Sequence, residues 1–267
     1  MRTLNNHGTI KQNGKRITMS KKIGIIGCGV IGTVLKDWLR ANTRHIVKIQ
    51  DPAKGYLDNI DDCDVYFIQI HIPTERNGKQ NLKNLEKIIV ELPNKPIFIR
   101  TTLLPGTTNK LRAKFHKDIY FMPEFLTERT ARKDFNQQHM VFTGRKNLLK
   151  TIFPNKPFIQ MSSTEAEIAK YAHNVFGALK VTYFNAVYEC CSKFNVDFQK
   201  VRKGVVLSKY ISPVHTMVPG PDGSFGYGGK CFPKDVHAFY VQNKRESLGY
   251  LLKKVVKLNK KFRRKTV

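Results

Sequence analysis

The chain has 267 residues, 41% of them hydrophobic and 25% charged, with 18 Gly, 12 Pro and a single Trp, which excludes fibrous and wholly disordered proteins. Its 47 Lys and Arg against 20 Asp and Glu give a formal charge of +27, a field that attracts anions but does not specify a fold. No run of about 18 apolar residues and no secretory signal occur, so neither a membrane span nor export by that route is expected, and a cytoplasmic location is.

Residues 1–20 are polar and basic without periodicity and read as a disordered leader. Six apolar runs then alternate with helix-length segments: Lys22 to Ile26, Ile46 to Gln50, Val65 to Ile70, Ile97 to Arg100, Ile119 to Met122 and Met140 to Thr143. This alternation predicts an α/β fold, a Rossmann-type doubly wound parallel sheet over 21–162. After Ser162 the strand pattern stops. Thr164 followed by Glu167 reads as a capping box, and apolar residues at helical spacing from Ile168 to Cys190 predict one helix of about 45 Å through Lys193. A Pro- and Gly-rich loop from Ser212 to Gly229 and a last basic helix from about Pro233 complete an all-α second domain over 163–267.

The first run leads into Gly27-Cys28-Gly29-Val30-Ile31-Gly32 and then a helix. Glycines at this spacing allow a tight turn, close backbone approach to a pyrophosphate and close helix packing, with the helix N-terminus facing the phosphates. Asp51 ends the second run, where an acid bonds the adenosine ribose hydroxyls of NAD. The plainer reading is a tight turn alone; with strand, helix and acid in place we expect an NAD site at Gly27, Gly29, Val30, Ile31, Gly32 and Asp51. Glu124 and Glu128 lie four apart after the fifth run, near a strand's carboxyl end, where paired carboxylates serve as acid or base. Lys170 and Asn174 share one face of the long helix and could donate to an oxyanion, although such pairs are usually solvated surface.

Of the five cysteines, Cys28, Cys63, Cys190 and Cys191 read as small buried hydrophobes. The odd set lacks CxxC spacing, so neither a disulfide nor a metal site is expected. Cys231 differs. It follows Gly226-Tyr227-Gly228-Gly229 and precedes a helix that Pro233 can start, so the helix dipole and Lys234 favour a thiolate.

Taken together these motifs resemble the UDP-glucose/GDP-mannose (nucleotide-sugar) 6-dehydrogenase family. The resemblance rests on the Gly27-Gly29-Gly32 fingerprint, Thr101-Thr102 ahead of Pro105-Gly106-Thr107, Pro123-Glu124-Phe125-Leu126-Thr127-Glu128, Glu167 with Lys170 and Asn174, and Phe225 through Asp235, and it covers about 21–265. It implies oxidation of a sugar-nucleotide C6 alcohol, most simply in UDP-glucose, to a uronate in two hydride transfers to NAD, a step of polysaccharide synthesis. Cys231 would be the nucleophile. Lys170 and Asn174 would stabilise the oxyanion, Asp235 would orient Lys170 or the water, Thr102 with Glu128 would move protons, and Glu124 would assist thioester hydrolysis. Thr74, Thr102 and Lys234 would join the cofactor site. Phe125, Leu126, Gly220, Ser224 and Gly228 would join Glu124, Glu128, Lys170 and Asn174 around the substrate.

The family pairs through its long helix, so a homodimer is implied. Its third, Rossmann-like domain has no counterpart here; this chain reads as a compact form, a separate subunit being one source of that domain. The span from Asp51 to Thr74 is also short, as though a helix were trimmed. Two other readings stay open. A single-step 3-hydroxyacid dehydrogenase has this length but needs no thiolate. A basic polyanion-binding relative would use the Lys/Arg-rich ends, which lack a nucleic-acid-binding motif.

Overall fold

In the computed structural model, residues 20–208 and 210–265 are described in full. Ahead of them only the backbone of β1 (Leu4–Asn5), β2 (Thr9–Gln12) and β3 (Lys15–Thr18) is described, an antiparallel sheet in that order. The leader expected to be disordered over 1–20 therefore carries strand pairing where Ile10 and Ile17 alternate with polar residues. The rest of it lies outside the described residues.

Two compact units follow, Met1–Ile72 with Leu82–Lys170, and Pro73–Asn81 with Tyr171–Val267. The division thus falls inside the long helix instead of before it, and a segment of the predicted sheet domain is counted with the helices.

The first unit contains β4 (Lys22–Ile26), α1 (Val30–Asn42), β5 (Ile46–Asp51), β6 (Tyr56–Leu57), β7 (Val65–Ile68), α2 (Lys83–Glu91), β8 (Ile97–Ile99), α3 (Thr107–Phe115) and β9 (Ile119–Phe121). Its sheet has the order β6-β5-β4-β7-β8-β9, parallel except where β6 turns back antiparallel along β5. That short turn, a 3-10 stretch at Pro52–Lys54 and then β6, fills the span read as too short for a helix. Both faces are covered, as the continuous apolar strands require. Ile23, Ile25, Val47, Phe67 and Phe98 pack on one side, and Ile26, Tyr66, Ile68, Ile97 and Ile99 on the other.

The sixth predicted strand does not join this sheet. After α4 (Ala131–Gln137), β10 (Met140–Phe142) pairs in parallel with β11 (Phe158–Gln160) across α5 (Lys146–Ile152). An apolar run specifies a buried strand but not its neighbour.

α6 (Ser163–Lys193) runs for 31 residues. Its capping box is Ser162 with Glu165, not Thr164 with Glu167: Glu165 N donates to Ser162 Oγ at 3.3 Å and Ser162 N to Glu165 Oε2 at 2.7 Å. Glu167 is fully buried and accepts from Gly106 N at 2.6 Å and from Thr108 N and Oγ1 at 2.7 and 2.6 Å, capping α3. The second unit adds α7 (Phe198–Val206), α8 (Phe232–Gln242) and α9 (Ser247–Phe262). The single basic helix expected from Pro233 is therefore two. They break at a turn in which a Cβ on Gly249 would lie 1.9 Å from Asn243 O.

Candidate active site

In the first unit, Gly27 lies at φ +87, in the left-handed region, and a Cβ there would stand 2.7 Å from Gln69 O. A Cβ on Gly32 would stand 2.2 Å from Gly27 O, so only glycine lets α1 approach the loop. Gly29 has nothing within 4 Å of its Cβ direction and is the N-cap of α1 without a side-chain cap. Its open side and the first N–H groups of α1, at Val30, Ile31 and Gly32, suit an anion. Asp51 Oδ2 accepts from Cys28 N at 2.7 Å and Lys54 Nζ donates to Cys28 O at 2.8 Å, so both ends of β5's turn fix this loop. A cleft of about 590 Å³ opens beside it, lined by Gly29, Val30, Thr33, Lys54, Glu128 and Arg129. Glu128 begins a 3-10 turn there.

At the carboxyl end of β8, Thr101 Oγ1 donates to Ile70 O at 2.7 Å, and Thr102 follows, half-buried. Glu124, Phe125 and Leu126 come directly after β9. Glu124 Oε1 accepts from Lys170 Nζ at 3.0 Å and Oε2 from Leu126 N at 2.6 Å. Lys170 is only 3% exposed and stands 5.7 Å from the Phe125 ring centroid. It is therefore a buried, paired ammonium instead of a solvated helix face. Burial works against the Glu124 charge, but Lys170, the Leu126 N–H and Arg100 outweigh it and hold the carboxyl below the ordinary Glu range.

In the second unit, Asn174 Nδ2 donates to Asp235 Oδ2 at 2.7 Å and Lys234 Nζ to Asp235 Oδ1 at 2.5 Å, with Asp235 1% exposed. Asp235 thus orients Asn174, and Lys234, expected toward a cofactor, serves as its counter-ion. Cys231 is exposed at the N-cap of α8, with Pro233 in the first turn. Of the other cysteines, Cys28, Cys63 and Cys191 are buried and Cys190 is exposed. Thr74 lies in the Pro73–Asn81 segment, bridged to Gln80, with Gly78 against Val241 of α8.

The glycine-rich loop is tied at several points. Gly220 N donates to Ser224 O at 2.8 Å. Gly226 N donates to Asn185 Oδ1 at 2.9 Å, and Asn259 both accepts from Tyr227 N at 2.7 Å and donates to Tyr227 O at 3.0 Å. Arg263 pairs with Asp222 at 2.8 Å, and a Cβ on Gly228 would lie 3.0 Å from its Nη atoms. Asn185, Asn259 and Arg263 were not singled out from the sequence. Asn185 is one of several polar residues buried along α6, with Lys170, Asn174 and Thr182, and no spacing in the sequence marks it out.

Among the described residues no group of three His, Cys, Asp or Glu could hold a metal, and no helix is long and apolar enough to cross a membrane.

Residues 164–261 match the central domain of the UDP-glucose/GDP-mannose dehydrogenase family. The chain is 30% identical over 227 residues to the UDP-glucose 6-dehydrogenase of Rickettsia typhi, which covers 77% of this chain and 51% of that protein. It is 31% identical over 209 residues to the GDP-mannose 6-dehydrogenase of Pseudomonas aeruginosa, covering 66% and 46%. The chain therefore spans about half the length of these relatives. In fold it resembles a UDP-glucose dehydrogenase from Pyrobaculum islandicum, with TM-score 0.76 and 24% identity over 91% of this chain and 68% of that one. It also resembles the 3-hydroxyisobutyrate dehydrogenase of Mycobacterium tuberculosis, with TM-score 0.66 and 14% identity over 92% of this chain and 96% of that one. Residues 164–261 thus carry the central domain of the UDP-glucose/GDP-mannose dehydrogenase family.

Proposed function

We propose that the protein is an NAD-dependent nucleotide-sugar 6-dehydrogenase, with UDP-glucose the first substrate to test. The observation that carries this reading is the pair of buried polar contacts one turn apart on α6, Glu124 with Lys170 and Asn174 with Asp235. Burying such groups is costly unless they are used together. The open face of Gly29, the uncapped start of α1 and Asp51 fit a dinucleotide. NAD, when bound, accepts a hydride in each of two oxidations.

This chain's residues then divide the remaining work. Thr102 and Glu128, through a water, take the proton of the C6 hydroxyl as the alcohol becomes an aldehyde. The Cys231 thiolate adds to the aldehyde carbon, and Lys170 and Asn174 donate to the oxyanion of the thiohemiacetal. A second oxidation leaves a thioester on Cys231. Glu124 assists water in cleaving it, which releases the uronate and restores the thiol. The Gly220 to Ser224 loop and Gly228 receive the sugar diphosphate. A homodimer through α6 is supported by Ile168, Phe176 and Tyr183, which are 45%, 62% and 59% exposed along one stripe.

The purified protein with NAD and a panel of UDP- and GDP-sugars should give two NADH and one uronate per sugar, with NADH read by absorbance and the product by mass spectrometry. Cys231→Ser should abolish uronate formation; a variant that makes uronate at the wild-type rate sinks the covalent route. The near-complete coverage of 3-hydroxyisobutyrate dehydrogenase by this fold favours a second reading, a single alcohol oxidation. One NADH per substrate, insensitive to Cys231→Ser, would establish that reading instead.

A further inference from the structure

We propose that Arg100 is a positioning residue for Glu124, its buried guanidinium holding that carboxylate in its charged form; this rests on the reading of Glu124 as part of the oxidation machinery. Arg100 follows β8 directly, and its N–H donates to Ile68 O at 2.8 Å, anchoring the side chain's root in the sheet. The residue is 3% exposed, and its buried Nε and Nη1 carry no hydrogen bond among the described residues. The guanidinium carbon stands 5.8 Å from the Phe135 ring centroid. This contact favours the cation but occupies none of its donors.

A cavity of about 20 Å³ lies where Arg100 meets Glu124, Gln138 and His139, wide enough for a single bridging water. Gln138 is already committed, its Nε2 donating to Phe125 O at 2.7 Å. Burial pushes Arg100 down to about 10, with the Glu124 charge acting in the opposite direction, so it remains a cation at neutral pH. Desolvating a guanidinium without a direct partner is costly. The charged groups around the Glu124 carboxylate are Lys170 from α6 and Arg100 just after β8, while His139 shares the cavity.

These two cations are suited to different tasks. Lys170 is the group that must turn its N–H bonds toward an oxyanion, and in doing so it gives up part of its hold on Glu124. Arg100 is locked in the core and cannot follow. Its constant charge keeps Glu124 ionised while Lys170 is engaged.

The test is a titration of protein carrying 13C at the Glu side-chain carboxyl, with the Glu124 resonance identified by its loss in Glu124→Gln. Arg100→Met and Arg100→Gln remove the charge; Arg100→Lys keeps it. Glu124 keeps Lys170 as its direct partner in these variants and the guanidinium's desolvation cost is removed, so folded protein is expected. In the two neutral variants the Glu124 midpoint should rise by about one pH unit, a tenfold change in ionisation constant, and Arg100→Lys should restore most of it. The acid limb of kcat for uronate formation should move the same way, with KM for NAD unchanged. A folded neutral variant with the wild-type Glu124 midpoint overturns the proposal. The titration needs no turnover, so a protein inert toward every nucleotide sugar would defeat the dehydrogenase reading and still decide the role of Arg100.

Discussion

The ion pair between Glu124 and Lys170 has a pH signature that follows from its burial. Glu124 is held below the ordinary Glu range when folded, so it binds fewer protons folded than unfolded near the ordinary carboxyl pKa. The stability it contributes is present above that pKa and is lost as pH falls through the lower, folded value. Glu124→Gln leaves Lys170 buried without its anion and should lower stability at pH 7 by about 3 kcal/mol. It should also flatten the decline in stability as pH falls below the ordinary carboxyl range. Urea unfolding at a series of pH values checks both; an unchanged slope would mean that the pair does not titrate with folding. Cysteines show the same dependence on surroundings. Burial, and then the Asp62 charge, push the Cys63 thiol up to about 11, so it stays protonated at neutral pH. Cys231 stands exposed at a helix start. The Cys231 motif could be read from the sequence because its glycines, proline and cysteine are contiguous. The roles of Asn259 and Arg100 could not, because their partners lie far along the chain and no spacing rule joins them.

At the scale of elements, the apolar runs marked β4, β5, β7, β8 and β9 correctly, since strands buried on both faces must be apolar throughout. The same rule misplaced β10. Its run is equally apolar, and only pairing with β11 decides its sheet. The start of α6 was ambiguous for a related reason: Ser162 with Glu165 and Thr164 with Glu167 both satisfy the capping pattern. What separates them is tertiary, because Glu167 is taken by α3. Three donors converge on its buried carboxylate, whose pKa burial raises despite those bonds. Glu167→Ala should therefore strip the cap from α3 and cost about 2 kcal/mol, measured by thermal or urea unfolding. A change below about 0.5 kcal/mol would show that water replaces the cap.

Phe176 and Tyr183 are large, apolar and more than half exposed on α6, an arrangement that suits burial against a second copy. Light scattering should find a dimer. Phe176→Glu with Tyr183→Glu should convert it to a monomer without unfolding it, and a monomeric wild type would remove the pairing proposal. The net charge of +27 will make any affinity for nucleotide sugars fall as salt is raised. The Asn259 clamp has a separate consequence for how the protein comes into being. The glycine loop ahead of Cys231 is held by a residue 32 positions later. During synthesis every proposed catalytic side chain emerges before the loop can set. A chain halted or clipped before Asn259 would carry the complete set of reactive groups with the loop tied at Gly220 and Gly226 but untied at Tyr227, so α9 completes the loop's anchoring.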